Sequence, residues 1–61
     1  MSAKEWWVKS HEQTHTFSSG KEARKVYREI KQQGRDAYLY RKLTDGTVER
    51  WEDGAQEFFP M

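Results

Sequence analysis

The feature that most limits what this chain can fold into is an apolar stripe in its middle. Between Gly20 and Gln33, the residues Ala23, Val26, Tyr27 and Ile30 recur at i, i+3, i+4 and i+7. That spacing lines one face of a helix with about 3.6 residues per turn. Ser19 and Glu22 match a capping box, in which hydroxyl and carboxylate each satisfy one orphan amide of the first turn. Gly34 stands where the chain must leave the helix, and a residue without Cβ enters the left-handed conformation most easily. The stripe must then be buried against another element.

The flanking segments supply a sheet. Ala37 to Leu43 and Thr47 to Trp51 are rich in aromatic and β-branched residues and are separated by Asp45-Gly46, the marker of a tight hairpin. A two-residue turn would pair Leu43 with Val48, Tyr40 with Trp51 and Arg41 with Arg50. A type I turn with a glycine bulge at Gly46 would pair Leu43 with Thr47, Arg41 with Glu49 and Leu39 with Trp51. The bulge is favoured, because opposite charges then face each other and Leu39, Leu43 and Trp51 share one side. Tyr38, Tyr40, Val48 and Arg50 share the other. Upstream, Glu5 to Ser10 reads as a strand with Trp6 and Val8 on one face and Trp7 on the other. Thr14 to Phe17 is a candidate further strand, joined through His11-Glu12-Gln13. The expected fold is α+β, ββαββ or βαββ, with a three- or four-stranded antiparallel sheet and one helix on one face. Its core is Trp6, Val8, Phe17, Val26, Ile30, Leu39, Leu43 and Trp51. Gly54 to Met61 remain as an apolar-ended tail carrying Phe58 and Phe59.

Size decides the organisation. With 61 residues the chain holds one domain, 1–61, and no separate lobe for a substrate cleft. It has no cysteine, so packing rather than disulfides or a thiolate metal cluster must stabilise it; three Trp, three Tyr and three Phe supply the area. The longest apolar run, Trp6-Trp7-Val8, is far below the roughly 20 residues that span a bilayer, and no leader pattern is present. A cytoplasmic protein without membrane partners, monomeric or weakly dimeric, is expected. Net charge is only +1, so an electrostatic function has to rest on local clustering.

One string invites a catalytic reading. His11-Glu12-Gln13-Thr14-His15 resembles the HExxH zinc motif of metalloproteases, and the resemblance implies His11 and His15 as ligands and Glu12 as general base. That chemistry needs the five residues on a helix with a third ligand, for which Glu22 or Glu29 would have to serve. Ser10, Thr14, Thr16, Ser18 and Ser19 are poor helix formers, and Ser18 and Lys21 stand where the longer metzincin motif has glycine and histidine. A polar loop or edge strand is therefore expected, with no metal. The four glycines are isolated, and no serine is paired with a base and an orienting acid. No enzyme and no cofactor are expected. Asp45, Glu49, Glu52 and Asp53 read as solvated carboxylates around the hairpin.

Two surfaces carry the functional expectation. On the helix, Lys21, Arg24, Lys25, Arg28 and Lys31 form an outer arc bordered by Glu22 and Glu29, a pattern able to track phosphates or simply to solubilise. On the sheet, the face away from the helix displays Trp7, Tyr38 and Tyr40 with Lys9, Lys42 and Arg50 nearby, rings that anchor a protein or stack on bases. The tail either covers that face or inserts into a partner's pocket as a linear motif. The expected role is a small protein-binding adaptor or inhibitor using Trp7, Tyr38, Tyr40, Lys42, Arg50, Phe58 and Phe59 on a larger protein. The alternative is a nucleic-acid-binding module that combines the rings with the helix cations.

Some resemblances accompany this reading. Phe17-Ser18-Ser19-Gly20-Lys21-Glu22-Ala23, followed by Gly34-Arg35-Asp36-Ala37-Tyr38-Leu39, is similar to one half of a SPOR peptidoglycan-binding domain, whose second βα half has no counterpart here. The ββαββ order is similar to that of the immunoglobulin-binding domain of protein G. The tail faintly resembles the sliding-clamp-binding peptide, with Glu52 and Ala55 at the glutamine and aliphatic positions.

Overall fold

A computed structural model describes residues 3–11 and 13–61. The elements run β1 (Ala3–Ser10), β2 (Gln13–Phe17), α1 (Gly20–Gln32), β3 (Ala37–Leu43), β4 (Val48–Glu52) and β5 (Glu57–Pro60). All neighbouring strands are antiparallel, in the order β2-β1-β3-β4-β5. The fold is α+β with one helix, as expected, but the sheet has five strands rather than three or four. The extra strand comes from the tail. Its four residues alternate, so Phe58 turns toward the helix side and Phe59 away, and the Met61 amide bonds the Val48 carbonyl at 3.1 Å. The link into it is closed by the Gln56 amide on the Glu52 carbonyl at 2.7 Å, with Gln56 itself left-handed at φ 54°.

Local chemistry accounts for the other turns. The β3–β4 hairpin adopts the bulged register: Arg41 faces Glu49, Tyr40 faces Arg50, and the Leu43 amide reaches the Thr47 carbonyl at 2.8 Å. Gly46 supplies the left-handed residue at φ 92°. At the C-terminus of α1, Gly34 has φ 78°, the Arg35 amide bonds the Ile30 carbonyl and the Gly34 amide bonds that of Lys31. This pair of bonds is a Schellman motif, which satisfies carbonyls the helix leaves open. The N-terminus departs from expectation. Ser19 is the N-cap residue with extended backbone, yet its hydroxyl makes no capping bond. What remains of the capping box is Glu22 in the first turn, where a carboxylate complements the helix dipole.

α1 lies across β1, β3 and β2. Val8 and Leu39 are wholly buried beneath it, with Ala23, Tyr27 and Ala37 completing the central cluster and Leu43 buried beside it. Five of the eight predicted core members shift. Val26 is only half-buried, and Trp6, Phe17, Ile30 and Trp51 pack around the cluster rather than inside it. The reason is steric: Ala23 and Ala37 are small, so the helix settles closely on the Ala23–Tyr27 side of its stripe and leaves Val26 at the flank. Because the helix does not reach over β4 and β5, side chains on that part of the same face close it themselves. Trp51 and Phe58 meet edge to face at 5.2 Å, and Arg41 lies 4.1 Å over the Phe58 ring while bonding Glu49 at 2.6 Å. Among the described residues, no helix is long and apolar enough to cross a membrane.

Candidate binding face

Side chains directly opposite in an antiparallel sheet share a face, so the registers place a row across all five strands on the side away from α1. It runs Thr16, Trp7, Tyr40, Arg50, Phe59. Trp7 and Tyr40 stack nearly parallel, with centroids 5.5 Å apart and planes 13° from each other, which half-buries both. Lys9 reaches over the Tyr40 ring at 5.9 Å. On one side of this row lie Thr14, Lys9 and Tyr38; on the other lie Glu5, Lys42 and Val48. Tyr38 and Phe59 are about half exposed, at 49% and 45%.

The sequence-predicted contact set thus comes together, with one exception. Trp7, Tyr38, Tyr40, Lys42, Arg50 and Phe59 share the open face, whereas Phe58 points to the opposite side and is engaged by Trp51 and Arg41. The tail does not blanket the rings; it widens the sheet beside them. Sequence reasoning missed the acidic members. Glu5 and Glu57 follow from strand alternation, and Glu52 lies 3.9 Å from Arg50. Three cations, Lys9, Lys42 and Arg50, are therefore matched by three carboxylates among the described residues of this face. The face is aromatic and charge-balanced, not basic.

The helix cations lie elsewhere. Lys21, Arg24, Lys25 and Arg28 are exposed, line a groove with Glu29 and Gln32, and make no ion pair among the described residues. Lys31 approaches Asp53 at 3.9 Å. The sheet separates this arc from the aromatic row, so one ligand strand cannot lie on both.

His11 and His15 fall in the β1–β2 hairpin. His11 occupies the turn and His15 lies in β2, so they are not one helical turn apart; Glu12 lies outside the described residues. No group of three His, Asp or Glu side chains is placed to hold a metal among the described residues. The hairpin carboxylates also disperse. Asp45 accepts the Thr47 amide at 2.9 Å, a bond that lowers its pKa, and Glu49 binds Arg41. Asp53 accepts the Tyr27 hydroxyl at 2.7 Å and the Trp51 indole N–H at 2.8 Å. The Tyr27 bond is the largest influence holding the Asp53 carboxyl below its usual range, while burial first and Asp53 second push the Tyr27 phenol up. This clasp ties α1 to the end of β4 and is structural in geometry.

Compared with known proteins, the chain matches no family model, no curated protein and no solved structure.

Proposed function

We propose that this chain is a small non-enzymatic binding protein, an adaptor or inhibitor, that docks its open sheet face on a larger protein. One observation carries the reading: the stacked Trp7–Tyr40 pair continues through Arg50 to Phe59 in a single row on a face that, among the described residues, no helix or tail covers. Aromatic residues and arginine are the groups that anchor protein interfaces. The balance of three cations against three carboxylates fits a polar rim and opposes phosphate tracking, which needs a net positive surface. The face is smaller than the roughly 800 Å² per partner of a standard interface, so binding has to rest on its few aromatic and arginine anchors. The cysteine-free composition fits a reducing, cytoplasmic setting.

The test is capture of a specific partner from a native extract on the immobilised chain. Trp7→Ala and Tyr40→Ala should each abolish capture while the thermal transition persists. A partner retained by both variants removes the face from the reading. The exposed helix cations Lys21, Arg24, Lys25 and Arg28, unpaired among the described residues, favour a second reading, nucleic-acid binding on the α1 arc alone. It predicts oligonucleotide binding that weakens steeply with salt, is lost in Arg24→Ala/Arg28→Ala and is indifferent to Tyr40→Ala.

A further inference from the structure

Rows and strands on the open face form a grid whose chemistry is complementary to itself. Counting outward from β3, Trp7 and Lys9 lie one strand to one side on β1. Arg50 and Glu52 lie one strand to the other side, on β4. By the pairing of Tyr40 with Arg50, Glu52 falls level with Tyr38 and therefore with Lys9. Turn a second copy by 180° about an axis along β3 and lay it face to face. Each Lys9 then meets Glu52 of the other copy, each Trp7 ring meets an Arg50 guanidinium, and Tyr38 and Tyr40 meet their own counterparts at the axis. Sheets packed in this way lie about 10 Å apart with strands crossing at about 30°, within reach of these long side chains. An axis across the strands also gives Lys9 a carboxylate, Glu5, and each axis sets one glutamate on Val48, but the cross-strand axis opposes Arg50 to itself in the central row instead of giving it an aromatic ring.

We propose that, when no partner is bound, the open face pairs with a second copy of this chain about a two-fold axis along β3, with Lys9 against Glu52 and Trp7 against Arg50. The inference rests on reading this face as a contact surface and names one occupant for it. What selects the arrangement is that Arg50 meets the Trp7 ring, a cation–π contact, rather than a second guanidinium. Lys42, which meets its own counterpart, lies at the margin with Glu5 as its cross-strand neighbour. Five strands about 4.8 Å apart and three rows about 7 Å apart give a footprint of roughly 24 by 20 Å. That is below a standard interface, so the dimer is weak. Self-pairing and partner binding then compete for the same rings.

Sedimentation equilibrium of the full chain, from roughly 5 µM to 1 mM, tests this. The mass should climb from 7.4 kDa toward twice that value. Lys9→Glu and Glu52→Lys should each hold it at the monomer, with unchanged circular dichroism, and Lys9→Glu/Glu52→Lys should restore the rise. Within one chain these two side chains are two strands, about 10 Å, apart, so restoration by the double swap reports contact between copies. A wild-type chain that stays monomeric throughout, or a double swap that fails to restore association, overturns the proposal. The outcomes separate from those of the functional reading. A monomer that still captures a partner through Trp7 sinks only the self-pairing, and a swap-sensitive dimer that captures nothing sinks only the partner.

Discussion

Gly20→Ala tests the packing of the helix on the sheet. Glycine at the first position of a helix reads as a weak choice, and alanine there should gain a few tenths of a kcal/mol from propensity and from a stiffer unfolded chain. The structure reverses that sign. A Cβ added at Gly20 would stand 2.9 Å from two atoms of the Trp6 indole and 3.2 Å from a third. Those atoms belong to a rigid ring held between Phe17 and Arg41 of the neighbouring strands, so it cannot bend away as a flexible side-chain end would. Overpacking of this kind costs about 1–3 kcal/mol, leaving a net loss of about 1–2.5 kcal/mol. With an m-value of about 1 kcal/mol/M for so small a domain, the urea midpoint should fall by about 1–2 M. Gly54→Ala is the control, because nothing lies within 4 Å of its added Cβ; its midpoint should hold. Trp6→Leu removes the ring at the contact, so in that background Gly20→Ala should be nearly silent, a coupling of about 1 kcal/mol or more. An unchanged or raised midpoint for Gly20→Ala in the wild-type background would refute the reasoning.

Three further outcomes follow from the capping and clasp geometry. Ser19→Ala should cost no more than a few tenths of a kcal/mol in chemical denaturation instead of the ~1 kcal/mol of a working N-cap, because the hydroxyl makes no capping bond. Gly34→Ala should cost about 1 kcal/mol in the same assay, since φ 78° forces a Cβ into the left-handed region. Asp53 has its folded pKa lowered, chiefly by Tyr27, so it adds stability above the ordinary carboxylate range that is lost as pH falls through the lowered value. Asp53→Asn should flatten that acid limb in a pH series of thermal melts, by about 0.5–1 kcal/mol given the exposed carboxylate. The raised Tyr27 phenol acts oppositely: its contribution is present below the ordinary phenol value and declines as pH rises beyond it, a decline Tyr27→Phe should remove.

Much of the architecture is written in short stretches of the chain. The stripe of Ala23, Tyr27 and Ile30 ending at Gly34 marks α1, and Asp45-Gly46 with Arg41 and Glu49 selects the hairpin register. Trp6-Trp7-Val8 assigns faces in β1. These signals are local, because helical and strand periodicity and turn conformation depend on residues a few positions apart. The aromatic and cationic members of the open face were legible for the same reason, since alternation puts Trp7, Tyr38, Tyr40 and Arg50 on one side once the register is known.

What tertiary structure alone decided involves residues distant in sequence or patterns too short to register. β5 has only four residues, and its pairing with β4 moves Phe58 inward and leaves Phe59 outside. Asp53 gains meaning only when folding brings it to Tyr27, 26 positions earlier. Gly20 is needed for closeness to Trp6 rather than for its own dihedrals, a requirement set by how far the helix sinks onto the sheet. Periodicity tells a chain which side chains to bury; the depth and angle at which buried surfaces meet depend on the shapes of all of them at once.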